Sequence, residues 1–487
     1  MAERSIDMAV KAMAGTLLAG DGEHRWVGAT LDSRRIVGRE LFFALPGAKF
    51  DGHEFVARAA ERGVAGVVVH RDVMPGTAKS EGGAGDVAWI RVEDTYKALH
   101  DLTRALRQEM PENLVAITGS SGKTTTKELL AAMLEQRFRV ARSPGNFNNL
   151  FGFPLALMGI ADDTEWMVAE MGMSTPRELA EVSRLGRPNA AVYTNVRPVH
   201  LENFSSLADI AEAKAELMEG LEPGALVIAN ADDPEVMRIV ERRAAERADL
   251  NIVTYGLKQP ADVSASSVTP LANGVMRPGS RFLLKTPQGE KQVELPVHGL
   301  YNVENCLAAA ACATTLGVTL DEVAKACAGF RPASMRGELH RLADGLTIID
   351  DSYNSNPDAA ARALESARML PAVRRIAVLG DMLELGPEEA DFHRRVGRRA
   401  AELGFDHVFA VGRLARHLKD GAVEAGGKAT WLENSPAALE WLATEPAVNG
   451  KRLGNGDLVL VKGSRGVGLE VVVEALTKRH GAPKGTA

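Results

Sequence analysis

A phosphate-binding loop is the clearest chemical signal in the sequence, in the stretch "ITGSSGKTTTKELL" from Ile117 to Leu130. It follows the apolar run "LVAITG", which predicts a strand, and it leads into a stretch that predicts a helix. Gly119 and Gly122 allow backbone amides to converge on phosphate oxygens, and the helix N-terminus adds a favourable dipole. The loop is shorter than the standard form, which has a glycine where Ile117 stands.

The side chains of this loop suit a nucleoside triphosphate that carries a metal ion. Lys123 is expected to neutralise the β and γ phosphates, and the Thr124 hydroxyl is expected to hold Mg²⁺. Ser120, Ser121 and Thr125 complete the predicted phosphate contacts in the loop, although Thr125 also suits the first turn of the helix.

Three further candidate residues lie later in the same part of the sequence, two of them at or after the ends of predicted strands and one on a predicted helix. Glu170 ends the apolar strand "WMVAE", and the carboxyl edge of a parallel sheet is where ligands bind. Mg²⁺ takes only one or two protein oxygens beside phosphates, so one such carboxylate is sufficient. His200 lies in the loop "TNVRPVHLENF", where a lone histidine is typical of a plain surface position. Lys214 lies in the amphipathic helix "SLADIAEAKAELMEG", and its pattern alone predicts a solvated lysine.

Composition limits the possible classes of protein. The chain has 487 residues, which predicts about three domains, with 45% hydrophobic and 25% charged residues as in ordinary globular proteins. The net charge of −7 does not suggest the excess of basic residues that nucleic-acid-binding proteins carry, so nucleic acid is not an expected partner. Three cysteines without metal-like spacing are expected to be buried thiols in a reducing compartment. No membrane span or signal pattern is found, which predicts a cytoplasmic protein.

Alternation of strands and helices predicts an α/β protein with three domains. In residues 1–111 the runs "RELFFALPG", "GVAGVVVH" and "DVAWIRV" predict strands, with the Gly-rich loop "TAKSEGGAGD" among them and a helix that ends near Pro111. Residues 112–330 predict a central, mostly parallel sheet of the phosphate-loop type. Residues 331–487 predict a Rossmann-like unit from "LTIIDD", "RRIAVLGDM", "HVFAVG" and "DLVLVKGS", with "GAPKGTA" as a frayed tail.

A series of short motifs occurs along the chain. In chain order they are "TGSSGKTTTKE", "NFNN", "AEMG", "VHLENF", "AEAKAEL", "HGLYNVENCLAAA", "MRGE", "DDSYNSNPDA", "GDMLELG" and "VKGSRG". From about Asp32 to Arg465 the chain closely resembles the Mur ligases of peptidoglycan synthesis. The resemblance implies that ATP phosphorylates a peptide carboxylate and that an amine then attacks the acyl phosphate. The forms of "NFNN", "DDSYNSNPD" and "GDMLELG" imply that D-alanyl-D-alanine is added to UDP-N-acetylmuramoyl-tripeptide, giving the pentapeptide precursor with ADP and phosphate released.

The resemblance also implies a site with two Mg²⁺ ions. Thr124 and Glu170 match ligands of the first ion, and His200 matches a ligand of the second. Lys214 matches the family lysine that is carbamylated by CO₂, and a carbamate is an anion able to hold the second ion. This role for Lys214 reverses the expectation from its helix pattern and depends wholly on the resemblance. Lys123, His200 and Lys214 are therefore the expected catalytic residues.

The nucleotide site is expected to include residues from two domains. Asn302 and Asn305 lie three apart on one helix face, and the resemblance places them near adenine. Asn302 also suits a role at the helix start. Arg336 resembles an arginine that reaches the ATP phosphates. Asp351 follows the strand "LTIID" and resembles the acceptor of the ribose hydroxyls, with Asp350 as the alternative.

The resemblance places the UDP-bearing substrate against the N-terminal domain. Ser33 and Arg34 in "TLDSRRIVGRELFFALPG" match the uridine-nucleotide stretch, with a polar turn as the alternative. The remaining predicted substrate residues, for the muramoyl part and the dipeptide, are Asn146, Asn148, Asn149, Ser464 and Arg465. Two positions depart from the family pattern, since Leu150 stands where an acid is expected and Arg197 where a glycine is common.

Other classes of function remain open from the sequence. Another ligase of the superfamily would add a single amino acid, but the diamino-acid-adding relative is expected to carry an arginine-bearing motif where this chain has "GDMLELG". A nucleotide switch or transport ATPase would hydrolyse ATP without a UDP-sugar peptide. A dinucleotide-binding scaffold would need a Gly-x-Gly-x-x-Gly turn after a strand, and "GSRGVG" does not fit. The chain is predicted to act as a monomer.

Overall fold

The computed structural model describes residues 3–47, 50–71, 87–110, 113–271, 279–444 and 450–481. Three sheets dominate the fold, and each takes its strands from one of three consecutive parts of the chain. The predicted loop "TAKSEGGAGD", Pro111 and the tail after residue 481 lie outside the described residues. Among the described residues, no helix has the length and apolar character needed to cross a membrane.

The N-terminal part contains a small mostly parallel sheet. Its elements are β1 (Arg4–Ser5), α1 (Ile6–Ala12), β2 (Thr16–Ala19), β3 (Arg25–Trp26), β4 (Ala29–Thr30), β5 (Leu41–Phe43), α2 (Val56–Glu61), β6 (Gly66–Val69), β7 (Ala88–Arg91) and α3 (Thr95–Glu109), with a 3₁₀ turn at Gly52–Phe55. The sheet order is β2-β7-β6-β5-β4, with only β2 antiparallel to its neighbour, and β1 pairs with β3 separately. Helix α3 packs against the central part.

The central part contains a nine-stranded sheet. Its elements are β8 (Leu114–Thr118), α4 (Lys123–Leu134), β9 (Val140–Arg142), α5 (Gly152–Met158), β10 (Trp166–Glu170), α6 (Glu178–Gly186), β11 (Ala190–Tyr193), α7 (Leu207–Ala215), β12 (Leu226–Asn230), α8 (Pro234–Glu246), β13 (Asn251–Gly256), β14 (Val263–Pro270), β15 (Ser280–Thr286), β16 (Gly289–Leu295), α9 (Leu300–Thr315) and α10 (Leu320–Gly329), with a 3₁₀ turn at Glu216–Gly220. The order is β16-β15-β14-β13-β12-β11-β8-β10-β9. Strand β8, which precedes the phosphate loop, lies between β10 and β11 and is parallel to both.

The C-terminal part contains a six-stranded sheet. Its elements are β17 (Glu338–Arg341), β18 (Thr347–Asp351), α11 (Pro357–Met369), β19 (Arg374–Gly380), α12 (Glu389–Glu402), β20 (His407–Val411), α13 (Arg416–Glu424), β21 (Ala429–Leu432), α14 (Ser435–Ala443), β22 (Asp457–Lys462) and α15 (Glu470–His480), with 3₁₀ turns at Gly386–Glu388 and Arg465–Val467. The order is β17-β18-β22-β19-β20-β21, and only β17 is antiparallel to its neighbour.

Burial explains why the sequences of several parallel strands are continuously apolar. Every residue of β8, β12 and β22 is buried, as expected for parallel strands covered by helices on both faces. The α/β class with mostly parallel sheets is therefore confirmed. The antiparallel extension β14–β16 of the central sheet was not predicted, because its strands are half-exposed and their apolar pattern is weak.

Candidate functional site

A cavity of about 440 Å³ lies between the central and C-terminal parts. It opens at the carboxyl ends of β8, β10 and β11 on one side and of β18 and β22 on the other. Most of the predicted site residues line it, namely Gly119, Ser120, Ser121, Gly122, Lys123, Thr124, Thr125, Asn146, Asn148, Asn149, Glu170, His200, Lys214, Asn305, Arg336, Asp351, Ser464 and Arg465. Parallel strands bring residues far apart in sequence to one edge, which is why such edges hold ligands.

Two glycines give the phosphate loop its shape. Gly119 has φ +145° and Gly122 has φ +82°, conformations that other residues adopt only with strain. A Cβ atom at Gly119 would lie 1.8 Å from Thr194 Oγ1, and one at Gly122 would lie 2.3 Å from Asn305 Oδ1. Gly122 also precedes α4, which has no side-chain cap, so no side chain competes there with an anion for the first amides of the helix.

Two residues that follow β11 hold the loop and were not predicted. The amide oxygen of Asn195 accepts hydrogen bonds from the Ser121 backbone N–H at 3.0 Å and from the Ser121 hydroxyl at 3.2 Å. The Thr194 hydroxyl donates to the Ser121 carbonyl at 2.7 Å. The sequence shows only a polar "TN" after a strand, and nothing in it indicates a partner more than 70 residues earlier.

The ammonium group of Lys123 lies at the centre of the loop. Its Nζ donates to the carbonyl of Gly119 at 2.7 Å. Loss of solvent lowers the pKa of Lys123, and the charge of Arg336 lowers it further, while Glu170 opposes the shift. An anion between Lys123 and Arg336 would relieve this repulsion, so the pair suits a phosphate.

Lys214 is buried, with a relative exposure of 3%, so the expectation of a solvated lysine is wrong. Helix α7 is short and its surroundings cover Lys214, which the helix pattern alone does not show. Burial lowers the pKa of Lys214 well below its ordinary value, the nearby charge of Lys123 adds to this, and Asp233 opposes it. These causes favour an uncharged and nucleophilic amine.

The carboxylate of Glu170 is buried and lies against a second buried lysine. Lys127, which is 1% exposed, places Nζ 3.3 Å from Glu170 Oε1 and 3.2 Å from Glu128 Oε1. The same ammonium donates to the Ser143 carbonyl at 2.7 Å. Glu170 Oε1 accepts no hydrogen bond within the described part of the chain. Lys127 therefore joins the phosphate-loop helix to the predicted metal carboxylate.

Replacing Lys127 with methionine is expected to destabilise the fold by roughly 3 kcal/mol, because the Glu170 carboxylate would stay buried without its cation. The double variant Lys127→Met/Glu170→Gln is expected to regain much of this loss, since it leaves no unpaired charge. Thermal denaturation of the metal-free protein measures both effects. Equal melting temperatures for wild type and Lys127→Met would show that the pair does not stabilise the fold.

His200 contacts the C-terminal part through the motif "GDMLELG". Its Nδ1 shares a short hydrogen bond with Glu384 Oε2, and this bond lowers the pKa of Glu384. The backbone N–H of Leu201 donates to the Glu384 carbonyl at 2.9 Å. His200 also lines the cavity, so one ring nitrogen is held by Glu384 while the other remains for a ligand.

A series of ion pairs also connects the central part with the C-terminal part beside the cavity. Arg362 on α11 pairs with Glu304 on α9 at 2.6 Å and with Asp358 at 3.0 Å. Arg197, the residue that departs from the family pattern, pairs with Asp233 and lies 3.6 Å from Asp358. Arg197 thus gives the central part a contact with the C-terminal part that a glycine would lack.

The structure distinguishes the two aspartates at the end of β18. Asp351 lines the cavity, and its Oδ2 accepts a hydrogen bond from Lys462 Nζ at 2.6 Å. Asp350 is buried and accepts hydrogen bonds from the Ser352 hydroxyl at 2.6 Å and the Ser352 backbone N–H at 3.1 Å. Burial raises the pKa of Asp350. Asp351 is the one of the two that a ligand in the cavity would meet.

Two arginine side chains lie close to the same aromatic ring at the C-terminal wall of the cavity. The guanidinium of Arg336 lies 3.9 Å from the centre of the Tyr353 ring, and that of Arg465 lies 5.9 Å from it. Arg465 also lies 3.2 Å from Glu470. The Ser464 hydroxyl accepts from the Leu383 N–H at 3.0 Å, so it is already engaged within the protein.

The asparagine loop meets the N-terminal part. Asn149 Oδ1 accepts from the Gly152 N–H at 2.8 Å at the start of α5. His100 on α3 has Nε2 2.8 Å from the carbonyl of Leu150. The loop that carries Asn146, Asn148 and Asn149 is therefore held from the N-terminal part, which is where a substrate spanning both parts would pass.

Three predicted site residues are not among those that line the cavity, namely Asn302, Ser33 and Arg34. Asn302 Nδ2 donates to the His298 carbonyl at 2.8 Å, and Asn302 Oδ1 lies 3.4 Å from Asn305 Nδ2. Asn302 therefore contacts Asn305, which lines the cavity, without lining the cavity itself.

Ser33 and Arg34 lie in the N-terminal part and away from this cavity. Ser33 is buried, and Arg34 is exposed and forms an ion pair with Asp32 at 2.9 Å. Their role toward a uridine nucleotide stays a prediction.

Comparisons with known proteins point to the same family over nearly all of the chain. Family models match residues 27–107 (Mur ligase family, catalytic domain), 117–313 (Mur ligase middle domain) and 335–465 (Mur ligase, glutamate ligase domain). The UDP-N-acetylmuramoyl-tripeptide–D-alanyl-D-alanine ligase of Bacillus subtilis is 34% identical over 98% of this chain and 99% of its own. A crystal structure of MurF from Acinetobacter baumannii superposes with a TM-score of 0.84 at 29% identity, covering 98% of this chain and 99% of that one. MurF ligase from Thermotoga maritima in complex with ADP gives a TM-score of 0.76 at 27% identity, covering 93% and 97%.

Proposed function

The chain belongs to the Mur ligase family, and from this premise we propose that it joins D-alanyl-D-alanine to UDP-N-acetylmuramoyl-tripeptide in an ATP-dependent reaction. The product is the pentapeptide precursor of peptidoglycan, with ADP and phosphate released. The observation that carries the proposal is a cavity lined both by the phosphate loop of the central part and by Arg336 and Asp351 of the C-terminal part. A ligase needs a nucleotide and a second substrate in such a shared space.

ATP is proposed to lie with its phosphates against the loop from Gly119 to Thr125. Lys123 would bind the terminal phosphates, and Arg336 would approach them from the C-terminal wall. Asn305 faces the loop at Gly122 and would lie beside the adenosine. Asn302 contacts Asn305 and would hold its side chain in place. Asp351 would accept a ribose hydroxyl.

Two Mg²⁺ ions are proposed to bind the polar groups of the site. The residues that would hold the first are Thr124 and Glu170, and the fit is supported by the buried Glu170 Oε1, which lacks a hydrogen bond within the described residues. His200 and carbamylated Lys214 would hold the second. Among the described residues no group of three or more histidine, cysteine or acidic side chains forms a metal site by itself. Bound Mg²⁺ offsets the charge of the phosphates and of the attacking carboxylate.

Carbamylation of Lys214 is supported by its burial and by its lowered pKa. The uncharged amine adds to CO₂ and releases one proton, so a cation-forming side chain becomes an anion. That anion would lie near Lys123, whose positive charge acts on Lys214 in the present state. The carbamate would thus remove a repulsion in addition to supplying an oxygen ligand.

The chain's own residues account for the remaining steps. Lys123 and Arg336 would stabilise the γ-phosphoryl group while the terminal carboxylate of the tripeptide attacks it. The C-terminal wall would exclude water from the resulting acyl phosphate. Arg465 would hold the carboxylate of D-alanyl-D-alanine, since a guanidinium suits a carboxylate. The dipeptide amine then attacks the acyl carbon and phosphate leaves.

The UDP moiety is proposed to bind the N-terminal part near Ser33 and Arg34, with Asn146, Asn148 and Asn149 along the path to the cavity. We propose domains at residues 1–111, 112–330 and 331–487, because each of the three sheets lies within one of these ranges. We propose that the protein acts as a monomer. Its dependence on ATP and the three buried free thiols support action in the cytoplasm.

Gly122→Ala is expected to raise the KM for ATP at least about tenfold, because the new methyl group would meet Asn305 Oδ1 in addition to the strain of a left-handed backbone, which costs ~1–2 kcal/mol. Gly224→Ala is the matched control. Gly224 has φ +73° but nothing lies within 4 Å of its Cβ position. The control is expected to lower the melting temperature and leave the KM unchanged, and a similar KM rise in both variants would contradict the close approach at Gly122.

The proposed reaction is tested by measuring phosphate release from ATP and Mg²⁺ with each acceptor alone and with both. Release is expected to require UDP-N-acetylmuramoyl-tripeptide and D-alanyl-D-alanine together, with the pentapeptide formed in equal amount. Release at the same rate from ATP alone would identify an ATPase and overturn the ligase.

A further inference from the structure

Lys462 is a buried lysine in the cavity wall that the proposed reaction does not use. It ends strand β22, has a relative exposure of 3%, and belongs to the motif "VKGSRG". Its ammonium donates to Asp351 Oδ2 at 2.6 Å and to the Asn354 carbonyl at 3.0 Å. A buried ion pair of this kind is weak evidence for stability, so its presence calls for another explanation.

The pair leaves one oxygen of Asp351 available. Only Oδ2 is used by Lys462, and within the described residues Oδ1 accepts no hydrogen bond. Asp351 lies at the carboxyl end of a parallel strand, where an acidic side chain commonly accepts from ribose hydroxyls. The bond from Lys462 to Oδ2 restricts rotation of the carboxylate, and Asp351 lines the cavity, so Oδ1 is available to a ligand there.

The neighbouring charges explain why fixation is needed. Asp350 precedes Asp351, and the charge of Asp351 helps to raise the pKa of Asp350. Without Lys462 the Asp351 carboxylate would lie beside a second acid and would have no ion pair to any cation in the described part of the chain. Strands β18 and β22 pair in register with Asp351 opposite Lys462, so the backbone itself places the two side chains together.

We infer that Lys462 is a positioning residue that aims the Asp351 carboxylate at the ribose of the nucleotide, and that it thereby determines the preference of the enzyme for ribonucleotides over deoxyribonucleotides. The inference rests on the proposed ATP site. Lys462 acts through Asp351 and does not itself touch the nucleotide.

The test is nucleotide binding without turnover, measured by calorimetry with ADP and with 2′,3′-dideoxy-ADP. Wild type is expected to bind ADP about tenfold more tightly or better, the range for a hydrogen bond to a charged group. Lys462→Met is expected to reduce this ratio to within about twofold of unity and to leave the affinity for dideoxy-ADP unchanged. Asp351→Asn is expected to reduce the ratio in the same direction.

A structural role for Lys462 would weaken binding of both nucleotides equally and preserve the ratio, which would overturn the inference. The double variant Asp351→Asn/Lys462→Met leaves no unpaired charge and serves if Lys462→Met does not fold. Its ratio is expected to equal that of Asp351→Asn alone, and a further change in the ratio would overturn the inference.

The inference and the proposed function fail in different ways. If wild type binds ADP with a ratio of one, Asp351 does not meet the ribose and the role of Lys462 falls, while the ligase stands. If wild type does not bind ADP at all, the proposed ATP site itself is wrong.

Discussion

Replacing Lys123 with methionine is expected to lower the turnover of ligation by about 10³-fold or more, because a preorganised cation is removed from the transferring phosphoryl group. The fold is expected to survive. Burial lowers the pKa of Lys123 in the folded chain, so the charged ammonium is less favourable there than in the unfolded chain, and loss of this charge is not expected to destabilise the fold. Binding of UDP-N-acetylmuramoyl-tripeptide is expected to persist, since the uridine site is proposed on the N-terminal part. Steady-state kinetics and calorimetry measure the two effects.

The matched control is Lys285→Met, which removes a half-buried lysine that lies on β15 and is paired with Glu290. It is expected to leave both turnover and binding unchanged. Loss of tripeptide binding together with turnover in Lys123→Met would contradict the separation of the two sites.

Replacing Lys214 with alanine is expected to remove most of the activity, and added bicarbonate is not expected to restore it. The reason is that the carbamate forms on the lysine amine, which alanine lacks, so bicarbonate has no group to modify. Lys214→Arg keeps the positive charge but cannot form this carbamate, so it is expected to be inactive as well. A loss of about 10²-fold or more is expected for a missing metal ligand or its support.

The modification is observed directly by ¹³C NMR of the protein equilibrated with ¹³C-bicarbonate. A carbamate signal is expected in wild type and is expected to be absent in Lys214→Ala. Near-normal turnover of Lys214→Arg would show that Lys214 acts as a cation and would contradict the carbamate.

Local patterns made the phosphate loop and most strands predictable from the sequence. The loop, the strand before it and the helix after it are contiguous, and fully buried parallel strands such as β8 and β22 read as apolar runs. The order of motifs along the chain identified the family, which the comparisons confirmed. Asp351, Arg336 and Lys123 were predicted in the site, and the structure places all three around one cavity.

Buried lysines were the least predictable feature. The helix pattern around Lys214 predicted a solvated lysine, and Lys127 was not singled out in the sequence, yet both side chains are buried. Lys462 and Asp351 are 111 residues apart, and only the pairing of β18 with β22 brings them into contact. The choice between Asp350 and Asp351 likewise depends on which face of β18 the C-terminal helices cover, and sequence alternation does not contain this information.

Transfer of the ATP phosphoryl group to a peptide carboxylate is most directly tested with tripeptide substrate labelled with ¹⁸O in its terminal carboxylate. Mass spectrometry of the phosphate released during ligation reports the origin of its oxygens. One ¹⁸O atom is expected in each phosphate, since the carboxylate oxygen that attacks phosphorus leaves with it. Released phosphate without ¹⁸O, accompanied by normal formation of the pentapeptide, would contradict the acyl phosphate.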